Sequence, residues 1–580
     1  MTRPAPSSSV SRRHVLAGAA LGAAAAVAPV RLFDAEAAAA PSRDGIFGYG
    51  VASGDPTARA VVIWTRATPP PRGREAPATP GSGRGRPLSV HWEVARDERF
   101  RDVVAWGFAR TSAETDHTVK VDVDRLQPYT TYWYRFRTRG ETSPVGRTRT
   151  AGDEPGAVHA LRLALVSCSN YTGGYFTAYR AIARRTDLDF VLHVGDYLYE
   201  YGNGADRYGP AGLVGVRDSV PPTETVTLAD YRLRHALHKA DPDSRAAHAA
   251  HPWITIFDDH EVTNNAWADG AENHDPGEGD WQRRRRDAYR AYLEWMPFRL
   301  PEQRRVPHRG TRFFRRFGFG ALGDLSVLET RQNRSRQVGP EDAVFLPLGD
   351  PAVEAALADP ARRMVEPEQL QWLADGVAGP GWHLVGNQVI ASPVLFPGAA
   401  LGQPQIPVLV NPDQWDGYRA DQQRLLAALG ASRGDAVVLT GDIHSSWAID
   451  TGDGAATEFV CPSVTSDGFY EAVAAARAGA PVPELLATTR QITGAVQRAT
   501  PSVRYLDGVG HGFTLVDVTP DRVQADFHLT PSPDPTRPDP RLDPSAEPVP
   551  AASWQTLAGT RRVVPAPGPV GARADEPFGL

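Results

Sequence analysis

Three runs of strand-forming residues in this chain each end on an acid. They are Phe190-Val191-Leu192-His193-Val194-Gly195-Asp196, Trp253-Ile254-Thr255-Ile256-Phe257-Asp258-Asp259 and Ala436-Val437-Val438-Leu439-Thr440-Gly441-Asp442. More ligand-type side chains follow at once: Tyr199 after Asp196, His260 and Glu261 after Asp259, His444 after Asp442. Carboxylates at several strand ends can meet at one edge of a sheet and hold cations there. Cations so held activate water and neutralise phosphoryl charge, so the pattern points to hydrolysis of phosphate esters. A lone Gly-Asp after a strand is an ordinary turn; the conjunction of several carries the inference.

The ligand types sort into two sets. Asp196 can bridge two cations, because each carboxylate oxygen has its own lone pairs. Tyr199 is close enough to bind the same ion, but a phenol with an ordinary pKa near ~10 needs a strong Lewis acid to ionise it. Cys168 ends the preceding strand, Val166-Ser167-Cys168, so it can meet Asp196 across neighbouring strand ends. Cys168, Asp196, Tyr199 and His444 together are consistent with Fe³⁺. Asp196, Asp259, Asn264 and Asp442 form an oxygen-rich set that selects Ca²⁺ or Mg²⁺, with Ca²⁺ the better fit to an extracellular enzyme. His260 can protonate a leaving alkoxide or stabilise equatorial phosphate oxygens, and Arg331 can hold a phosphate oxygen with its planar fork. Individually, Cys168 reads as a small buried hydrophobe, Tyr199 as packing and Arg331 as an ion-pair residue. His193 reads as structural.

The elements that must position these residues change character along the chain. From about Ile46 to Thr150 the pattern is all-β, with strand-like runs at Ala60–Trp64, Leu88–Val94, His117–Val123 and Thr131–Arg137, several of them alternating. The segment Leu126-Gln127-Pro128-Tyr129-Thr130 before Tyr132-Trp133-Tyr134 is similar to the tyrosine corner of a fibronectin-type sandwich. After a polar linker the order becomes strand, helix, strand, which implies an α/β layered domain. Helical spacing covers Tyr175–Arg185, Thr227–Ala250 and Trp281–Trp295. The Arg283–Arg286 run of the last reads as a solvated face rather than a nucleic-acid patch. Phe313–Leu328 reads as a hairpin, and Trp382–Ile390, Ala436–Leu439, Gly512–Asp517 and Val523–Leu529 as strands. The glycine-rich loop Gly202–Pro222 lies beside the Asp196 strand end, where long loops are often functional. From Pro531 the density of Pro, Asp and Arg predicts an extended or disordered tail.

The chain has 580 residues and a net charge of −6, so it has no general pull toward nucleic acid or anionic membrane. It holds two cysteines, Cys168 and Cys461, which an exported chain could pair. The N-terminus carries Arg12-Arg13, a short apolar stretch and Ala35–Ala40, the parts of a secretory signal of twin-arginine type. The apolar run is too short to span a bilayer. The expected layout is a signal over 1–40, a β-sandwich over 45–150, a catalytic domain over 157–530 and a Pro-rich tail over 531–580.

At this point the chain resembles the alkaline phosphatase D family of the metallophosphoesterase class. The segments that carry the resemblance are Ser167-Cys168-Ser169-Asn170, Gly195-Asp196-Tyr197-Leu198-Tyr199-Glu200-Tyr201, Asp258-Asp259-His260-Glu261, Leu384-Val385-Gly386-Asn387-Gln388, Asp413-Gln414-Trp415-Asp416-Gly417-Tyr418 and Thr440-Gly441-Asp442-Ile443-His444-Ser445-Ser446. The resemblance covers about residues 45 to 530. It implies an α/β fold: a four-layer metallophosphoesterase-type β-sandwich flanked by helices, preceded by a small all-β fibronectin-like domain. It also implies an Fe³⁺ and Ca²⁺ site, with Cys168, Asp196, Tyr199 and His444 on iron and Asp196, Asp259, Asn264 and Asp442 as calcium candidates. Two departures stand out. Asp258-Asp259-His260 replaces the wider class's Gly-Asn-His, and Glu329 stands before Thr330-Arg331-Gln332 where Asp is expected.

The function expected is a secreted phosphoesterase, probed as mono- or diesterase, in which a metal-bound oxygen attacks in line. Its substrates would be phosphate-ester small molecules, or esters derived from phospholipids or nucleotides. Specific nucleic-acid binding and a transmembrane anchor are not expected, and a monomer is. Two alternatives stand beside it: a phospholipase D-type diesterase on the same metals, and a non-catalytic Ca²⁺-binding secreted protein.

Overall fold

The computed structural model describes residues 10–11, 45–152, 158–204, 207–209, 217–299, 312–397, 407–451 and 454–573. The signal segment lies almost wholly outside them, as does much of the Gly202–Pro222 loop.

Two sheets form the body. In one, the buried apolar strands Leu161–Val166, Phe190–His193 and Pro252–Thr255 run parallel. In the other, Gly323–Val327, Trp382–Gly386, Asp435–Thr440 and Thr457–Val460 run parallel. Strands buried on both faces are continuously apolar rather than alternating. Leu163, Leu165 and Leu192 of the first sheet share one core with Leu384, Val437, Leu439 and Phe459 of the second. Each such aliphatic side chain contributes about 2 kcal/mol on burial. Helices cover the outer faces. Thr177–Ala183, Leu228–Ala240, Pro242–Ala250 and Trp281–Trp295 belong to the first sheet's side. Pro367–Gly376 and Arg419–Gly430 pack on Val385 and Val438 of the second. The result is the four-layer α/β architecture.

The N-terminal all-β region is present, and it is not set apart from the body. Val51–Gly54, Val61–Arg66 and Thr118–Val123 extend the first sheet, the link being Ser53 and Gly54 beside Pro252 and Trp253. The facing sheet, led by Leu88–Ala95, Val103–Thr111 and Thr131–Thr138, closes a separate core around Val90, Val94, Tyr134 and Phe136. The corner tyrosine is Tyr132, whose hydroxyl accepts from the Gln127 amide at 2.8 Å.

Of the two readings of the tail, extended or disordered, its described part is not disordered but extended: Val549–Leu557 and Val563–Pro565 add two strands to the first sheet beyond Arg522–Leu529. Proline suppresses strands only where its missing N–H is needed, and edge strands tolerate it. Nor is Arg283–Arg286 one solvated face. Arg284 and Arg285 are buried, Arg284 pairing with Glu224 and Glu278 and Arg285 donating to the carbonyls of Ala268 and Gln332. The hairpin is present, Arg315–Gly318 pairing with Gly323–Val327.

Candidate metal centre

The parallel strands of both sheets point their C-terminal ends at one edge, and the chain turns sharply there. Cys168, Asp196, Asp442 and His444 all hold left-handed backbone, with φ of 60°, 57°, 67° and 53°. Each such non-glycine residue costs about 1–3 kcal/mol and persists only where its surroundings over-determine it. Gly195 and Gly441 make the turns possible by close approach. A Cβ at Gly195 would lie 2.5 Å from the Asp258 Cβ, and one at Gly441 would lie 2.3 Å from Ser167 Oγ. Glu261 ties two strand ends together, accepting from the amides of Asp196 (3.0 Å), Tyr197 (2.7 Å) and Asp258 (2.8 Å).

The ligand atoms of Cys168, Asp196 and His444 lie within 4.8 Å of one another. The Tyr199 hydroxyl joins them, donating to Asp196 Oδ2 at 3.0 Å and lying 3.2 Å from His444 Nε2. Asp196 belongs to two further groups of the same size, one with Asp258 and Asp442 and one with Asp259 and His260. It is the shared member, as a bridging carboxylate must be. Arg331 is buried among the acids. It donates to Asp258 and to Asp413 Oδ2 (2.7 Å), with Asp259 at 3.7 Å and Asp442 at 4.0 Å. Asn264 is buried on the loop beyond Asp259, its Nδ2 donating to Glu272 at 2.8 Å. Cys168 and Cys461 are both free thiols, with Ser167 Oγ 3.1 Å from the first sulfur and 3.4 Å from the second.

The electrostatics fit a cation site. Burial, reinforced by Asp259, Asp258 and Glu261, pushes the Asp196 carboxyl well above the usual range, against the opposing pull of His260. Burial, with Asp259 and Asp442 adding to it, does the same to Asp258 although Arg331 opposes it. Burial and then Asp196 raise the Cys168 thiol and the Tyr199 phenol. Asp196 Oδ1 is buried with no hydrogen-bond partner among the described residues. A thiol, a phenol, an imidazole and crowded carboxylates, with one oxygen left unpaired, are what bound cations would satisfy.

His260 has a different setting. Its Nδ1 donates to Glu200 Oε2 at 2.7 Å. Burial alone would lower its pKa, but Glu200, Asp259 and Asp196 outweigh that and bring it up to about 10.

A family model for the PhoD-like phosphatases matches residues 163–527. The chain belongs to the PhoD-like phosphatases. A second model, for the N-terminal domain of PhoD-like phosphatases, matches residues 34–152. The chain is 34% identical over 498 residues to alkaline phosphatase D of Bacillus subtilis (strain 168), spanning 84% of this chain and 78% of that protein. A solved structure of PhoD superposes with a TM-score of 0.75 at 32% identity, covering 92% of this chain and 94% of the other. As a PhoD-like phosphatase the chain is a metal-dependent phosphoric ester hydrolase. The non-catalytic calcium-binding alternative is overturned by this membership. No helix among the described residues is long and apolar enough to cross a membrane.

Sequence reasoning passed over several residues of the site. Asp258 reads in the sequence only as the first acid of an Asp-Asp pair, yet it is the acid grouped with Asp196 and Asp442. Glu200 and Glu261 stand in the strand-end motifs, but nothing local announces that Glu200 holds the His260 ring or that Glu261 binds strand-end amides. Ser466 was not singled out; its hydroxyl lies 2.7 Å from that of Tyr199. Adjacent acids at a strand end mark a place for a carboxylate, but only the fold brings both Asp258 and Asp259 to Asp196.

Proposed function

We propose that this phosphatase is a secreted enzyme hydrolysing phosphate mono- or diesters of small molecules, with Fe³⁺ held by Cys168, Asp196, Tyr199 and His444. Ca²⁺ would take Asp196, Asp259, Asn264 and Asp442, with Asp258 able to join that set. The observation that carries the reading is the meeting of a thiol, a phenol, an imidazole and the shared Asp196 at three strand ends. When bound, the cations would activate water and offset charge on the phosphoryl group.

The chain's own residues do the rest. Glu200 fixes the His260 ring through Nδ1, which leaves Nε2 to give a proton to the departing oxygen. Arg331 Nη2 makes no hydrogen bond among the described residues, with Asp442 Oδ1 at 4.0 Å, and is the part of the fork that would take a phosphate oxygen, while Nε and Nη1 hold Asp258 and Asp413. Asp259 is oriented by the amides of His260 (2.9 Å) and Asn265 (2.6 Å).

Metal analysis of the folded protein, with a visible absorption spectrum, tests the ligand assignment. A ferric site with tyrosinate and thiolate absorbs visible light, and a colourless, iron-free active enzyme would exclude it. Rates on nitrophenyl and bis-nitrophenyl phosphate separate mono- from diesterase. Replacing Arg12 and Arg13 with lysine should retain the protein in the producing cell, and unchanged export would remove the twin-arginine reading.

A further inference from the structure

The tail residue Arg541 lies beyond both stretches matched by the family models, residues 34–152 and 163–527. It is nevertheless among the buried residues, 3% exposed. Its Nη1 donates to the Thr465 carbonyl at 2.8 Å and to Asp467 Oδ1 at 2.5 Å. Its other nitrogens engage Asp539, Nε at 3.0 Å and Nη2 at 2.8 Å. The backbone is seated as well: Arg541 O accepts from Tyr175 N at 2.9 Å, and a Cβ on Gly174 would lie 2.6 Å from the Arg541 Cβ.

The segment so gripped, Thr465-Ser466-Asp467, touches three of the proposed metal ligands. Ser466 Oγ is 2.9 Å from the Cys168 carbonyl and 2.7 Å from the Tyr199 hydroxyl. The Asp467 carbonyl lies 2.7 Å from His444 Nδ1. A carbonyl can only accept, so this contact places the ring proton on Nδ1 and leaves Nε2 with its lone pair, facing Tyr199 and the Cys168–Asp196 pair.

We propose that Arg541 is a positioning residue for the metal centre: it clamps Thr465–Asp467 from the C-terminal tail and thereby holds His444 in the ligating tautomer and Tyr199 and Cys168 in place. Groups that orient metal ligands in this way typically matter 10- to 100-fold in metal affinity. The inference rests on the ligand assignment proposed above.

The test uses the full-length holoprotein. Iron and calcium per chain are measured before and after graded chelator, alongside visible absorption, for wild type, Arg541→Ala, Arg541→Lys, Asp467→Asn and Arg573→Ala. Arg573 is a control in the same tail: it pairs with Asp189, away from His444. The expected result is that Arg541→Ala loses metal at about 10- to 100-fold lower chelator with a weakened absorption band. Arg541→Lys should recover part of the loss, Asp467→Asn should show an intermediate loss, and Arg573→Ala should match wild type. Wild-type retention and spectrum in Arg541→Ala would overturn the proposal, as would an equal loss in Arg573→Ala, which would mean simple tail undocking. If Arg541→Ala does not fold, unchanged retention in both Arg541→Lys and Asp467→Asn overturns it. A wild-type protein that holds no metal overturns the ligand assignment itself, and the positioning role with it.

Discussion

Two buried acid clusters stand side by side in this protein, joined by the loop Thr465–Asp467, and they balance their charge in different ways. The first gathers Asp196, Asp258, Asp259 and Asp442 around Arg331. The second gathers Asp467, Glu471 and Asp539 around Arg541, with His511 on Glu471 at 3.1 Å. In the first, burial and mutual repulsion push Asp196 and Asp258 well above the ordinary carboxylate range. In the second, burial also opposes ionisation, yet Arg541 and His511 outweigh it and hold Glu471 down to about 2. Burial still raises Asp467 in that cluster despite Arg541 beside it, so the contrast rests on Glu471, whose charge two cations of the chain itself offset.

The largest effect should come from the shared carboxylate. Asp196→Asn removes the one group common to all three ligand sets and should lower turnover by about 10³ or more. The metal-free variant should melt no lower than metal-free wild type, because an uncompensated buried acid is gone. Turnover within tenfold of wild type on nitrophenyl phosphate would break the comparison at its centre. Next comes His260→Ala, expected to lower kcat by about 10²- to 10⁴-fold with metal content unchanged by elemental analysis. Parallel loss of metal and turnover would instead make His260 a ligand. Arg541→Ala tests the self-balanced cluster. Removing one partner of a buried ion pair should cost about 3–5 kcal/mol in urea unfolding, and a neutral result would mean that Arg541 does not supply the balance.

The smallest effect is a pH dependence. Folding lowers the Glu471 pKa from 4.5 to about 2, so its stabilisation is complete above 4.5 and is lost as pH falls toward 2. The stability gap between wild type and Glu471→Gln should therefore be widest above pH 4.5 and close on acidification. A gap that stays constant from neutral pH down to about 2 would show that the charge on Glu471 is not what is measured.

Much of the strand-end cluster was legible because sharp strand-end turns restrict residue types. The Gly-Asp dipeptides are visible in sequence for the same reason that they work in the fold: no side chain fits at Gly195 or Gly441 where the strand ends crowd together. The hairpin and the buried parallel strands followed from their apolar runs. Three things were not legible. Arg284 and Arg285 turn inward because partners distant in sequence wait there. The N-terminal strands continue the main sheet through a contact of two residue pairs, which no local pattern announces. The tail reads as extended or disordered by composition, which does not announce that it adds strands to an open sheet edge and carries Arg541 into the body.

The sequence by itself determined the chemistry on offer: which acids, thiol, phenol and imidazole stand at strand ends, and that glycine precedes two of the aspartates. Only the tertiary structure decided that Asp258 shares a site with Asp442, that Glu261 ties the strand ends together, and that Arg541 of the tail reaches Asp467, whose carbonyl meets His444. The reason is physical. Residue type and local spacing set what a side chain can bind and which way the chain can turn, whereas charge balance and ligand orientation depend on groups brought together from hundreds of residues apart.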